Sequence, residues 1–296
     1  MPRKSPAPRP VSATNQQPPL ISARGLGLSV GLTIAAAAVC AWAALCLLFW
    51  QGSWQLLYHP AAAITRTPAA AGLSFESVAF DPDNAGQPQL TAWWIPQSPI
   101  SDRAAIYLHG ADGNLSNTVN LLTRLHAAGL NVFAIDYRGY GQSHQSHPSE
   151  TSLREDADAA IAYLTATRHI PAASIVLIGS GLGANLALEV AAAHPELAGV
   201  ILDQPIAAPM QAVFSDARAR LVPAHALVHD RYDLNAASDL HIPTLWLETE
   251  TGSTQPAPDA YAQIPSRKML VWLPSGLVQS QTFDAPLARW LDSLGH

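Results

Sequence analysis

Ser180 stands in the run Gly179-Ser180-Gly181-Leu182-Gly183, between an apolar strand-like stretch and an Ala-rich helical one. Small residues at that spacing suit a strand that turns sharply into a helix and presents one side chain at the turn. A serine hydroxyl there attacks a carbonyl only with a base in hydrogen-bond reach and a third group orienting that base. Asp203 lies at a strand end, and Glu248 and Glu250 at another, where two carboxylates could share acid–base work. The simpler readings are that Asp203 caps the Gln204-Pro205 turn and that the glutamates are solvated. Among the histidines, His194 precedes Pro195 at a helix end, where an imidazolium suits the dipole. His144 and His147 flank Gln145-Ser146 in a loop and would need further ligands to hold a metal. No motif supplies them, so neither a metal nor a cofactor is expected.

These residues need a scaffold, and its pattern is legible. Residues 1–24 read as a disordered tail, rich in Pro, Ser and Gln over 1–19. No charged side chain occurs from Gly25 to Ile64, and Leu26–Trp50 is long enough to cross a bilayer as a helix. Trp50, Trp54 and Tyr58 follow, as amphipathic rings do at an interface, so 25–57 is read as a membrane anchor. Basic Arg3, Lys4, Arg9 and Arg24 precede it, which predicts a cytoplasmic N-terminus and a translocated C-terminal domain, periplasmic in a bacterium. A cleaved signal peptide is the competing reading, but the bulky run Leu45–Trp54 offers no small-residue cleavage site. Both cysteines, Cys40 and Cys46, lie inside this stretch, so the rest of the chain holds neither a disulfide nor a thiolate metal site.

After a linker at 58–71, strand and helix patterns alternate from 72 to 296. Strands are expected at Leu73–Phe80, Leu90–Ile95, Ala105–Leu108, Val132–Ile135, Ile175–Ile178, Val200–Leu202, Thr244–Leu247 and Met269–Leu273. Helices are expected around Leu121–Leu125, after a Ser152/Glu155 capping box, over Leu182–Ala193 and over Phe283–Leu294. The alternation implies an α/β fold, with a mostly parallel, doubly wound sheet covered on both faces. Past residue 67 the chain keeps 11 of its 16 Lys and Arg but all 22 acidic residues, a net charge of −11. Such a domain repels a phosphate backbone, which argues against nucleic acid as a partner.

Three segments, in this order, resemble the α/β-hydrolase superfamily, in its membrane-anchored, serine-aminopeptidase-like and esterase-like branch. They are Tyr107-Leu108-His109-Gly110-Ala111-Asp112-Gly113-Asn114, then Asp136-Tyr137-Arg138-Gly139-Tyr140-Gly141-Gln142-Ser143, then Ile178-Gly179-Ser180-Gly181-Leu182-Gly183-Ala184. The likeness covers roughly Gly72 to the C-terminus. It implies that the backbone N–H groups of Ala111 and Leu182 form an oxyanion hole, and that the 178–184 run is the nucleophile elbow. In that frame the apex is Gly181, with Ser180 one place early on the incoming arm, its side chain directed away from the pocket. The acid position falls on Gly252, and the catalytic histidine position on about Val278. All three triad positions thus read as vacant, and a triad works as a unit.

The sequence therefore predicts a membrane-tethered α/β-hydrolase-fold protein without its catalytic triad, keeping a pocket for a small-molecule or protein ligand. The alternative is an active esterase, amidase or peptidase with relocated groups, for which Ser180, Asp203 and Glu250 are the candidates. About 40 residues, Gln204 to Ile242, stand where the superfamily inserts its cap, so the cap is short and the pocket open. Arg218, Arg220 and Arg231 fall there and are read as solvated.

Overall fold

The computed structural model describes residues 23–250, 258–274 and 281–295, and the chain divides after Leu47 into two compact units. The first holds helix α1 (Ala23–Gly52) as far as Leu47. It carries no acidic residue, and Leu28, Leu32, Ile34 and Val39 all lie exposed along it. From Arg24 to Leu56 the helix is long and apolar enough to cross a membrane.

The second unit is built on eight strands. They are β1 (Glu76–Pro82), β2 (Pro88–Ile95), β3 (Ala104–Leu108), β4 (Asn131–Asp136), β5 (Ile175–Ser180), β6 (Gly199–Asp203), β7 (Thr244–Thr249) and β8 (Lys268–Leu273). Their order across the sheet is β8-β7-β6-β5-β3-β4-β2-β1. Only β2 runs against its neighbours, β1 and β4; every other pair is parallel. Parallel strands need crossovers that cover both faces, which is why β3, β4 and β6 are buried along their whole length.

One face packs Tyr107, Ile178, Ile201 and Leu245 against α2 (Val119–Ala127) and α5 (Asp284–Ser293). The other meets α3 (Glu150–Ala166) and α4 (Leu182–Ala193), with Phe133 of β4 stacked on Tyr163 of α3 at 5.2 Å. The cap between β6 and β7 is small: two four-residue helices, Gln211–Phe214 and Ala224–Leu227, with short 3₁₀ turns.

Two expectations need correction. Helix α3 starts one turn earlier than a Ser152/Glu155 box would place it. Ser149 is the N-cap, its hydroxyl accepts the Ser152 N–H, and the Ser152 side chain accepts the Ser149 N–H in return. Residues 58–71, read as a linker, are stitched to the loop after β3. His59–Pro60 pairs in parallel with Asp112–Gly113, and the Asn114 side-chain amide donates to the Ala61 and Ala63 carbonyls at 2.9 and 2.8 Å. Such pairing satisfies backbone groups that a free linker would leave to water.

Candidate functional site

The end of β5, Gly181 and the start of α4 form the sharp turn anticipated from the glycine spacing. Gly181 sits at φ 57°, ψ −121°, a region that favours glycine. Its N–H donates to the Asp203 carbonyl at 2.9 Å, and its own carbonyl accepts the Ala184 N–H at 2.9 Å. A Cβ added at Gly181 would meet no atom within 4 Å, so the space over the apex is open. The flanking glycines are held by contact. A Cβ on Gly179 would collide with the backbone of Gly183 and Ala184, and one on Gly183 with the carbonyl oxygens of Leu108 and His109. That second approach brings the β3 loop against the elbow, and a Cβ on Gly110 would stand 3.3 Å from the Ser180 carbonyl oxygen.

The loop carrying Ala111 is fixed from three sides. The Ala111 carbonyl accepts the His59 N–H at 3.0 Å and the Tyr140 hydroxyl at 2.8 Å. Tyr137 donates its hydroxyl to the His109 carbonyl at 3.0 Å. Leu182 opens α4, where the first N–H groups have no partner within the helix. Ala111 and Leu182 thus lie on the two abutting segments, as an oxyanion-hole pair requires.

His109 is the histidine this loop sets beside the elbow, and it is poorly suited as a base. Its ring is 2% exposed, is packed by Tyr137 and Tyr140, and has Nδ1 2.7 Å from the Gly110 carbonyl. Burial pulls its pKa down to about 4, although the Gly110 carbonyl opposes the shift. Nε2 lies 3.5 Å from the Asp136 carboxylate without hydrogen-bond geometry. Burial raises Asp136 to about 7, against the pull of the Leu115 N–H that donates to it at 3.0 Å. Both groups are driven toward their neutral forms, so the contact is not a charged salt bridge.

Ser180 and Asp203 face each other across β5 and β6 on the side of Tyr107. The Ser180 Oγ is buried and lacks a partner at hydrogen-bond geometry. Asp203 is 5% exposed, and burial raises its pKa to about 6, opposed by Ser180 and by the Gln204 side-chain amide. Gln204 Nε2 stands 3.4 Å from Asp203 Oδ1. The carboxylate therefore faces the serine rather than capping the Gln204-Pro205 turn. Tyr107 completes this group; burial raises its hydroxyl and Ser180 opposes that. Sequence reasoning missed Tyr107, although its place one strand over and in register with Ile178 follows from the sheet order.

Glu248 accepts the Trp246 indole N–H at 2.8 Å, and Glu250 is exposed. His194 takes Glu196 at 2.7 Å and Asp158 at 3.1 Å, and these carboxylates raise its pKa despite partial burial. His147 stacks on Trp54 with ring centroids 4.7 Å apart. Among the described residues no His, Cys, Asp and Glu group could hold a metal. In the cap, Arg218 pairs with Asp216 at 2.8 Å. Gly252 and Val278 lie outside the described residues. A cleft of about 790 Å³ does exist, but its lining includes neither Gly181, Ala111 nor Leu182.

The sheet order, the glycine-framed elbow and the loop laid against it define an α/β-hydrolase fold. The family model described as serine aminopeptidase, S33, matches residues 100–253, and the chain belongs to that family. It is 27% identical over 213 residues to the Mycobacterium tuberculosis protein Rv2307c, covering 71% of this chain and 74% of the relative. It is 32% identical over 139 residues to the Saccharomyces cerevisiae membrane protein YNL320W, covering 46% of this chain and 48% of the relative. Among solved structures, the Pyrococcus furiosus esterase Pf2001 superposes with a TM-score of 0.63 at 16% identity, covering 81% of this chain and 98% of the esterase. That last likeness is one of fold.

Proposed function

We propose that this chain is a membrane-anchored member of the family that has lost acyl-transfer chemistry and uses the space over Gly181 to bind a ligand or partner. Gly181 carries the proposal: it holds the apex conformation of an elbow and offers no side chain there. The acid and base positions read as Gly252 and Val278 in the sequence, neither of which can orient or accept a proton. The Ala111 and Leu182 N–H groups suit a carbonyl or carboxylate oxygen of the bound molecule. The 25–57 segment anchors the chain in one pass, with the N-terminus cytoplasmic and the 72–296 domain on the far side, periplasmic in a bacterium. The apolar helix and the membrane relative support the anchor.

A second reading has one observation behind it: the buried Ser180 Oγ faces a carboxyl of raised pKa. In that reading Ser180 is the nucleophile, Asp203 the group that takes its proton, and Glu250 an auxiliary acid. Burial of the hydroxyl on the far side of the elbow weighs against it. Treatment of the full-length protein in detergent with a fluorophosphonate probe separates the two. The first reading expects no adduct. An adduct lost in Ser180→Ala would replace it with the second, and an adduct on any other serine would defeat both.

A further inference from the structure

The 790 Å³ cleft belongs to no part of the elbow. One wall is the end of α1 and the turn after it, including Trp50, Trp54 and Leu57; other lining residues are Met210, Val213 and Leu227 from the cap. A third side is closed by His147 and the first turn of α3. Trp54 is braced by its stack on His147. Tyr58 forms the floor, donating its hydroxyl to Asp230 at 2.6 Å and lying 2.9 Å from the Tyr232 hydroxyl.

We infer that this cleft takes an acyl chain of a bilayer lipid whose head group carries no net negative charge. The inference rests on the membrane anchor and not on the fate of the triad. A helix crosses the roughly 30 Å hydrocarbon core in about 20 residues, so a crossing that starts at Leu26 ends near Leu45. Trp50 to Leu57 then stand in the head-group layer by chain continuity alone, where Trp and Tyr partition. The cleft shares Trp50 and Trp54 with the carboxyl end of the apolar span Arg24–Leu56, so this wall lies next to the bilayer along the chain. Apolar side chains in this lining suit methylenes. Among the described residues no Lys or Arg lines the cleft, and the one carboxylate that does, Asp230, already accepts Tyr58 and the Glu150 N–H. Beside His147 and His229 an anionic head group would find no permanently charged cation in this lining, Arg231 belonging to the adjoining cleft.

The full-length protein in nanodiscs, with a phosphatidylcholine probe bearing a photoactivatable acyl chain, tests this directly. Mass spectrometry should find the label on peptides covering 50–58 and 210–230. Leu227→Trp and Thr151→Trp, at a half-buried and an exposed position of the lining, should each cut that label by roughly fivefold or more. Label on residues 26–45 of α1 should stay unchanged, which also reports that the variants fold and insert. Label confined to 26–45, or indifferent to both tryptophans, would overturn the inference. Equal or stronger labelling by a phosphatidylglycerol probe would overturn the head-group assignment. With the photoreactive residue benzoylphenylalanine at 151, lipid-mass adducts are expected; adducts to a protein chain would give the cleft to a partner instead.

Discussion

Gly181 donates its N–H to the carbonyl of Asp203 at 2.9 Å, so the elbow apex hangs from the end of the neighbouring strand. The same residue, Asp203, sends its side chain toward Ser180. One residue thus fixes the apex through its backbone and confronts the displaced serine through its carboxyl.

The three elbow glycines should respond unequally to substitution. Gly181→Ala meets no neighbour and bears only the strain of a positive φ, roughly 1–3 kcal/mol. Gly183→Ala drives a methyl into two carbonyl oxygens and Gly179→Ala into the backbone of α4. Backbone cannot yield as side chains do, so each should cost more than Gly181→Ala, on the order of 3 kcal/mol or above. Thermal unfolding of the three variants checks the ranking, and a Gly181→Ala protein less stable than Gly183→Ala would refute it.

Serine placed at position 181 should fit and still fail to work. The space is open, but a lone hydroxyl without base and acid recovers little, since the triad acts as a unit. Hydrolysis of a p-nitrophenyl ester by Gly181→Ser should stay within about tenfold of the parent chain. A gain on the order of a thousandfold would mean that a base stands nearby after all.

Asp136 should make the protein less stable as pH rises toward neutrality. Burial raises its folded pKa to about 7, above the ordinary carboxylate value, so between those values the native state holds the extra proton. Stability from this group is complete at acid pH and is lost as pH climbs through about 7. His109, lowered to about 4, works in the opposite sense: its share is present above its unfolded pKa and is lost as pH falls toward 4. Asp136→Asn keeps an acceptor for the Leu115 N–H and removes the first titration. The decline from pH 5 to pH 8 in denaturant unfolding should shrink by roughly 3 kcal/mol, at about 1.4 kcal/mol per pKa unit. An unchanged slope would show that Asp136 is ionised in the native state.

Arg138 should matter for folding more than for any ligand. Its guanidinium pairs with fully buried Asp156 at 2.5 Å and with Glu155 at 2.7 Å, tying the 136–143 turn to α3. Arg138→Ala strands a buried carboxylate and should destabilise by on the order of 3 kcal/mol. Arg138→Lys keeps the charge but loses the fork, and an intermediate loss is expected. Equal losses for the two would indicate that packing of the stem, rather than the ion pair, is what holds the turn.

The sequence carried most of the architecture because the strands and α4 announce themselves locally. Leu182–Ala193 could be bounded from its Ala-rich run and its glycines, and the structure places α4 on those residues. The start of α3 was harder, since Ser149 and Ser152 each precede a polar residue by three and either frame makes a box. The choice falls to Ser149 where Glu150, drawn to the Arg231 and Tyr232 N–H groups, becomes the first helical residue. Pairing of 59–61 with 111–113 joins segments about 50 residues apart, and no local period encodes it. The same holds for the cleft, whose walls come from three separate stretches. That Ser180 precedes the turn was legible, but its burial beside Tyr107 and Asp203 required the register of three strands.

The conformation of Gly181 gives the elbow a direction in evolutionary time. Any other residue at φ 57° and ψ −121° carries strain of roughly 1–3 kcal/mol, and glycine carries almost none. Exchange of serine for glycine at this apex therefore runs downhill in folding free energy, with its neighbours still locked by contact. The reverse step is uphill, and a hydroxyl at the apex offsets that only where a base and an acid stand ready to use it. Such a turn behaves as a ratchet: an apex glycine is easily gained and hard to give up, because it leaves the turn more stable.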